Sequence, residues 1–210
     1  MFSLLSEIMV SREKILEAAG RVYAKHGFRG ATTRLIAAEA GVNEVTLFRT
    51  FGSKGALLEA VLEQRSQFSD VSELPNPPQN EEEELTVWIA EHLERVRDLR
   101  PMLIQAISEL DERPEVADFA CRGRDEVHTL LSQYVERLQR LGRADEAADV
   151  FAAVTMLISS VMGDAMGRPM VPQSFPPVDE APRRYVRCFL RSLGVSPPVS
   201  RTPSDPTRNE

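Results

Sequence analysis

Residues 32–54 constrain the fold of this chain more than any other part of the sequence. They contain two short runs of helix-forming residues on either side of Gly41, and helices this short are not stable alone in water. Thr33 can cap the first run, Asn43 can cap the second, and Gly41 can supply the positive φ that ends a helix. The pattern predicts a helix-turn-helix, which presents its second helix to DNA from a packed support.

Helical patterns on both sides of this stretch predict that support. Ser11 can cap a preceding helix with apolar residues at helical spacing, and Gly27 can end it. Ser53 can cap a following helix that starts with Lys54. An amine at a helix N-terminus is unfavourable for the helix dipole unless a phosphate lies beside it. Lys54 is therefore either a phosphate contact or a solvated lysine in a turn.

The motif that covers the two helices and their flanks runs in order and without gaps. It reads Gly27-Phe28, Thr32-Thr33, Ile36-Ala37, Ala40-Gly41-Val42, Thr46-Leu47-Phe48, Phe51 and Ser53-Lys54-Gly55-Ala56-Leu57-Leu58. In this it resembles the tetracycline-repressor (TetR) family of bacterial transcription regulators. One departure is Phe48, which stands where the family has a tyrosine whose hydroxyl usually reaches a phosphate.

The resemblance implies an all-α fold of about nine helices. A three-helix helix-turn-helix DNA-binding domain is expected over residues 1–52. A helical effector-binding and dimerisation domain is expected over residues 53–194, with a connecting helix at 53–68. The composition of residues 195–210, rich in Pro, Ser, Thr and Asn, predicts a disordered tail.

The predicted DNA contacts lie on or beside the two short helices. They are Thr33, Arg34, Glu44, Val45, Thr46, Phe48, Arg49, Thr50 and Lys54. Thr33, Arg34 and Lys54 are assigned to phosphates, which set the register without reading sequence. Arg49 is the candidate for a two-hydrogen-bond contact with guanine, with a phosphate contact or a solvated side chain as alternatives. Glu44 can accept from a cytosine amine or stabilise its own helix dipole, and Val45 can meet a thymine methyl.

The charge distribution agrees with contact to DNA at one end of the molecule. The net charge is −7, yet residues 1–65 carry nine Lys and Arg against seven Asp and Glu. The rest of the chain carries sixteen against twenty-five and contains no lysine. A local and thin positive field predicts moderate DNA affinity that falls steeply with salt.

Composition also bears on other classes of protein. The two cysteines have no metal-ligand spacing, and we expect both to be small core residues. No nucleophile–base pair or Gly-rich phosphate loop supports an enzyme, and no cofactor is expected. The first ten residues lack the positive start of a signal peptide, and no apolar run approaches the length of a membrane span. These features predict a cytoplasmic protein without a membrane partner.

The fourteen prolines all lie after residue 74 and divide the second domain into predicted helices. One helix runs from about residue 81 to 99, and Pro101 starts another over 102–110. Pro114 starts a third over 115–141. A fourth covers 147–166, and a fifth follows the Pro-rich loop 169–182.

The last two predicted helices are apolar on more than one side, which calls for a partner surface. In the resembled family they form the homodimer interface, and a dimer would place two recognition helices about 34 Å apart on a palindromic operator. The expected interface residues are Phe151, Val154, Ile158, Val161, Tyr185 and Phe189.

The family resemblance also implies a small-molecule pocket in the second domain. Methionine and aromatic residues at helical spacing are more often ordinary core than pocket lining. The candidate lining is Trp88, His92, Met102, Gln105, Phe119, His128, Tyr134, Met156 and Met162. A mostly apolar lining would suit a hydrophobic effector. The sequence thus predicts a homodimeric repressor released from its operator by such a ligand. The alternatives are a DNA-binding regulator without a small-molecule effector, a transcriptional activator and, least supported, an enzyme.

Overall fold

A computed structural model describes residues 2–66, 73–114 and 117–195 of the chain. These residues form eight α-helices and contain no strand, which confirms the predicted all-α fold. The helices are α1 (Phe2–Gly30), α2 (Thr33–Ala40), α3 (Glu44–Phe51), α4 (Lys54–Ser66), α5 (Glu81–Glu109), α6 (Ala117–Arg140), α7 (Val150–Gly167) and α8 (Ala181–Ser192), with a short 3₁₀ turn at Pro172–Ser174. Of the predicted tail, residues 195–210, only residue 195 is among the described residues.

Two predicted helix starts in the N-terminal domain were wrong. Helix α1 begins at Phe2 and not after Ser11, so Ser11 lies inside it. The residue that caps α2 is Thr32, whose hydroxyl accepts from the Leu35 N–H at 3.2 Å, and Thr33 is the first helical residue. Gly27 has the predicted positive φ, 64°, but its ψ of −178° makes it a kink inside α1, which continues to Gly30.

Helix α5 corrects the prediction of two separate helices divided at Pro101. The helix continues through this proline, although a proline removes one helical hydrogen bond and bends the backbone. Pro101 lies on the exposed side of the helix, where such a bend is tolerated. Met102 and Leu103 lie beyond it on the same buried stripe as Val96, so packing of that stripe maintains a single helix.

One hydrophobic core runs through the whole described chain. It begins with Ile15 of α1, includes Leu47 of α3 and Leu58 of α4, and continues through α5 to Val195. Helix α1 packs against α2, α4 and α5, so the helix-turn-helix rests directly on the second domain. The placement of the reading helices therefore depends on both domains.

Helix α7 is apolar enough, by length and composition, to cross a membrane. Its mean hydropathy is 1.6 over Val150–Gly167, which corrects the expectation that no such run exists. Core helices of globular proteins pass the same test. Asp164 lies near its C-terminal end, is fully buried and pairs with Arg97 of α5 and with Arg168. A carboxylate held in this way fits a helix packed against its neighbours in a protein core.

Candidate nucleic-acid interface

The turn between α2 and α3 is built from local hydrogen bonds. Gly41 adopts φ 67° and ψ 32°, a conformation that glycine reaches without strain. The Val42 N–H then donates to the Ala37 carbonyl at 3.0 Å, which closes the end of α2. Asn43 accepts from the Val45 N–H at 3.0 Å and opens α3. The predicted turn glycine and the second predicted cap are thus confirmed.

Helix α3 presents three side chains to solvent on one face. Val45 is 71% exposed, Phe48 is 45% exposed, and Arg49 is exposed beside them. Leu47 points the other way and is fully buried in the core. Val45 and Phe48 lie one turn apart, so they form a small exposed apolar patch beside Arg49. The predicted contacts at these three positions share one accessible face.

Thr33 and Glu44 contact each other across the turn. The Thr33 hydroxyl donates to Glu44 Oε2 at 3.0 Å, which joins the first turns of α2 and α3. The sequence indicated a dipole role or a base contact for Glu44, and it did not predict this link. The bond holds the carboxylate at the start of α3, so a base contact by Glu44 would have to share or break it.

The remaining predicted DNA contacts differ in exposure and in whether their polar groups already have a partner within the chain. Thr50 donates its hydroxyl proton to the Thr46 carbonyl at 2.8 Å, within α3 itself. Thr46 and Thr50 are both half-buried. Arg34 and Arg49 are exposed, and neither has an ion-pair partner among the described residues. The two arginines are therefore the cations of this surface that are available to an anionic partner.

Lys54 lies at the junction with the second domain. Its ammonium is 4.3 Å from the centroid of the Phe28 ring, whose other neighbour is the Arg113 guanidinium at 3.7 Å. Burial lowers the pKa of Lys54, and the positive charge of Arg113 lowers it further. The sequence left two alternatives for this residue, a phosphate contact and a solvated lysine in a turn. The structure adds a third role, contact with Phe28.

The aromatic pocket candidates of α5 are buried. Trp88 and His92 stack with ring centroids 4.3 Å apart, and Met102 is also buried. Burial, together with the nearby positive charge of Arg95, lowers the pKa of His92 to about 4. The imidazole is therefore neutral at pH 7, and this part of the core carries no cationic group from His92.

The other pocket candidates fall in different places. Tyr134 is buried and donates to Glu84 at 2.6 Å, while His128 and Met162 are half-buried. Met156 is 67% exposed on the outer side of α7, so it does not line an interior pocket of the subunit. Gln105 turns toward Gly27 at the domain junction. The side chain of Phe119 lies outside the described residues.

Some of the predicted dimer residues are buried within the subunit and others are exposed. Val154, Val161 and Phe189 are buried in the core of the subunit itself, so their surface is not available to a partner and their assignment is corrected. Phe151 is 69% exposed, and Ile158 and Tyr185 are half-buried. Cys188, expected in the core, is exposed on α8, and the side chain of Cys121 lies outside the described residues.

A cluster around Asp164 was not predicted from the sequence. The carboxylate accepts from Arg97 at 3.2 Å, from Arg168 Nε at 2.7 Å and from the Tyr185 hydroxyl at 2.7 Å, which ties α5, α7 and α8 together. Burial alone would raise the pKa of Asp164, but these hydrogen bonds outweigh it and lower the pKa. Arg168 is four residues from Asp164, but Arg97 and Tyr185 are 67 and 21 residues away, so no local pattern indicates that all four residues meet.

Comparison with known proteins supports the class that the geometry of α2 and α3 indicates. Residues 15–61 match the sequence model of bacterial regulatory proteins of the tetR family. The HTH-type transcriptional regulator YvkB of Bacillus subtilis is 45% identical over 56 residues, 27% of this chain and 30% of that one. The matched part thus spans less than a third of the curated relatives.

Solved structures resemble a much larger part of the chain. A putative TetR-family transcriptional regulator of Mesorhizobium loti has a TM-score of 0.72 at 19% identity, covering 88% of this chain and 96% of that one. SmeT, the repressor of a Stenotrophomonas maltophilia multidrug efflux pump, has a TM-score of 0.66 at 21% identity in a complex with triclosan. That likeness covers 95% of this chain and 99% of SmeT.

These matches identify residues 15–61 as a helix-turn-helix of the kind found in bacterial transcription regulators. That segment matches the tetR family of bacterial regulatory proteins, and the chain shares its overall fold with the solved structures named above. The similar proteins are regulators and not enzymes, in agreement with the prediction from the sequence.

Proposed function

We propose that the chain is a cytoplasmic, homodimeric transcriptional repressor that binds a palindromic operator and is released from it by a small hydrophobic ligand. The observation that carries the proposal is the exposed face of α3, where Val45, Phe48 and Arg49 project together from a helix buried through Leu47. Valine and phenylalanine suit thymine methyl groups, and arginine suits guanine. The negative charge of the second domain keeps the rest of the molecule away from the DNA.

The proposed dimer is supported by the outer face of α7. Phe151 and Met156 are each more than two-thirds exposed, although they belong to the most apolar helix of the chain. A second copy that covers this surface would bury both side chains by a two-fold, self-complementary contact. It would also explain why α7 has the hydropathy of a membrane span while only a third of it is buried within one subunit.

The ligand is proposed to bind beside the Trp88–His92 stack, between α5 and the helices that pack on it. The neutral imidazole and the indole form a stacked aromatic pair without a charge, which suits a ligand that is itself largely apolar. SmeT, which shares this fold, is known in a complex with triclosan. Binding would favour a conformer whose two recognition helices no longer match successive major grooves.

DNA selection tests the proposal most directly. Purified protein is used to recover duplexes from a genomic pool at two salt concentrations, and one palindromic motif is the expected result. Arg49→Ala should then relax the preference at one base pair per half-site, whereas Arg34→Ala should weaken all sequences alike and reduce the salt dependence. Recovery of sequence-independent binding alone would contradict the proposed operator recognition.

The dimer surface is tested with two matched methionine substitutions. Met156→Glu places a charge in the proposed interface and should shift the molecular mass in solution toward that of one chain. Met170→Glu is the control, because Met170 is 72% exposed in the loop after α7 and lies off that face. A wild-type chain that sediments as a monomer at micromolar concentration, or equal behaviour of the two variants, would contradict the interface.

A further inference from the structure

The turn that follows the kink in α1 is held by a residue of the second domain. Because Gly27 is left-handed at φ 64°, the helical hydrogen-bond pattern of α1 is interrupted and the next N–H, that of Phe28, is free to bind elsewhere. It donates to Glu109 Oε1 at 2.7 Å, at the last residue of α5. The bond joins residues 81 positions apart and runs from the DNA-reading domain to the other domain.

The same carboxylate has two more partners at this junction. The Tyr23 hydroxyl donates to Glu109 Oε2 at 3.1 Å, and Arg113 forms an ion pair with that oxygen at 3.5 Å. The Glu109 and Arg113 side chains are only 15% and 14% exposed, so the contact is largely shielded from water. A shielded charge-assisted hydrogen bond is stronger and more specific in direction than one at an open surface.

Gly27 favours this close approach. A Cβ atom added there would lie 2.8 Å from Gln105 Oε1 and 3.1 Å from Glu109 Oε1, so the ends of both side chains would have to shift. Glycine thus serves twice, through its positive φ and through its missing side chain. The end of α5 and the turn after α1 are built to fit each other.

The junction also includes Lys54, a predicted phosphate contact. The ring of Phe28, whose backbone N–H donates to Glu109, contacts both the Arg113 guanidinium and the Lys54 ammonium. The position of Lys54 at the start of α4 is therefore linked through Phe28 to the last turn of α5. A displacement of α5 at Glu109 would move the turn, the ring and the lysine together.

We propose that Glu109 is the positioning residue through which α5 sets the placement of the DNA-reading helices, by holding the Phe28 N–H and with it the contact between Phe28 and Lys54. The inference rests on the proposed function, since it names the residue that transmits a change in the second domain to the DNA surface. By reciprocity, DNA bound at α3 must in turn stabilise the end of α5 through the same bond.

Hydrogen–deuterium exchange with mass spectrometry tests the proposal on the full chain. Glu109→Met removes both acceptor oxygens but keeps the length of the side chain and the helix propensity. In the free protein it should accelerate exchange at the Phe28 amide about tenfold or more. Glu112→Met is the matched control, three residues further on at an exposed position, and should leave Phe28 exchange unchanged. Glu109→Asp, too short to reach Phe28, replaces Glu109→Met if circular dichroism shows that the latter does not fold.

The second part of the experiment adds DNA, either the best duplex from the selection or a random-sequence duplex at low salt. In the wild type and in Glu112→Met, bound DNA should slow exchange in α5 at residues 101–109. In Glu109→Met the DNA should still bind, and this remote slowing should be absent. If Glu109 only stabilised the fold, the Glu109→Met variant would still show slower exchange in α5 at saturating DNA.

Unchanged Phe28 exchange in Glu109→Met, or remote slowing that persists in that variant, would overturn the proposal. A wild-type chain in which bound DNA does not slow α5 would overturn it as well. Failure of the wild type to bind any duplex would contradict the proposed function instead. The exchange of Phe28 in the free variants would then still decide whether Glu109 holds the turn.

Discussion

The two domains use their polar side chains in different ways. In the helix-turn-helix, Thr32, Asn43 and Ser53 each accept from a backbone N–H two or three residues further along the chain. The second domain has similar caps at Asn80 and Asp149, and in addition it has polar contacts that join distant helices. Tyr134 reaches Glu84, Arg97 reaches Asp164 and Arg187 reaches Glu82, across 50, 67 and 105 residues. Polar contacts across 50 residues or more are thus a feature of the second domain, beyond the local caps that both domains share.

The difference shows where each domain is sensitive to change. A local cap stabilises one helix end and can be lost with a modest effect, because water replaces the missing partner at an exposed position. A buried pair between helices leaves an uncompensated charge when one partner is removed. We therefore expect the largest stability effects far from the DNA surface, in contacts that join distant parts of the chain.

Asp164→Ala should have the largest effect. It leaves Arg97 and Arg168 without the buried carboxylate that pairs with both, which should lower the free energy of unfolding by about 3–5 kcal/mol. Tyr185→Phe is the control, because it removes one hydrogen bond but keeps the ion pairs, at a cost of about 1 kcal/mol. Chemical denaturation of both variants gives the comparison. Equal losses would show that the cluster does not act as a buried ion pair.

The same contrast explains what could be predicted from the sequence. The turn at Gly41, the Asn43 cap and the buried Leu47 follow from neighbouring residues, and the structure has all three. The break predicted at Pro101 was wrong because the local rule for proline is overridden by the buried stripe on both sides of it. The Glu109 junction could not be predicted, since nothing near Glu109 in sequence indicates that it meets Phe28.

Exposure of the candidate site residues could be predicted in α3 but not in α7. The exposure of Val45, Phe48 and Arg49 could be predicted, because burial of Leu47 leaves the opposite face of a two-turn helix exposed. In α7, apolar residues occur on all sides, so sequence alone could not separate Val154, in the core, from Met156, on the surface. Packing decides which side of a helix faces its neighbours. The sequence of a helix that is apolar all round does not indicate that side.

The pH dependence of stability should reveal the buried His92. In the unfolded chain a histidine gains a proton near its ordinary pKa of 6.5, but in the folded protein the pKa of His92 is lowered to about 4. Between these values the unfolded state binds more protons, so stability falls as the pH falls from about 6.5 to about 4. The full difference corresponds to roughly 3 kcal/mol.

His92→Phe isolates this contribution from the carboxylates, which titrate at lower pH. The free energy of unfolding of the wild type and of the variant is measured by urea denaturation at pH 7 and at pH values down to 4. The wild type should lose stability relative to the variant over that range. Parallel profiles for the two proteins would mean that His92 is not desolvated in the way its position indicates.

The local contacts of the first domain should give smaller losses. Asn43→Ala removes the acceptor for the Val45 N–H at the start of α3, at an expected cost of about 1 kcal/mol. Asn43→Asp keeps an acceptor at the same place and should retain most of the stability. Thermal unfolding of the two variants measures the difference. A loss as large as that of Asp164→Ala would contradict the contrast between local and buried contacts.

The smallest effect is expected from a contact that is distant in sequence yet exposed. Arg29 donates to both carboxylate oxygens of Glu112 at 2.8 and 3.0 Å, across 83 residues and between the two domains. The two side chains are 85% and 63% exposed, so water and salt screen the pair. Glu112→Gln should therefore cost only a few tenths of a kcal/mol, and less at high salt.

Glu112→Gln separates the effect of burial from the effect of sequence separation. The Arg29–Glu112 pair joins distant residues, as the Arg97–Asp164 pair does, but it is exposed and not buried. If burial controls the energy, denaturation of Glu112→Gln at low and high salt will give nearly the wild-type value. If joining distant parts of the chain is itself stabilising, the loss will approach that of a buried pair and will not depend on salt. The geometry favours the first result, because both ions remain hydrated when they separate.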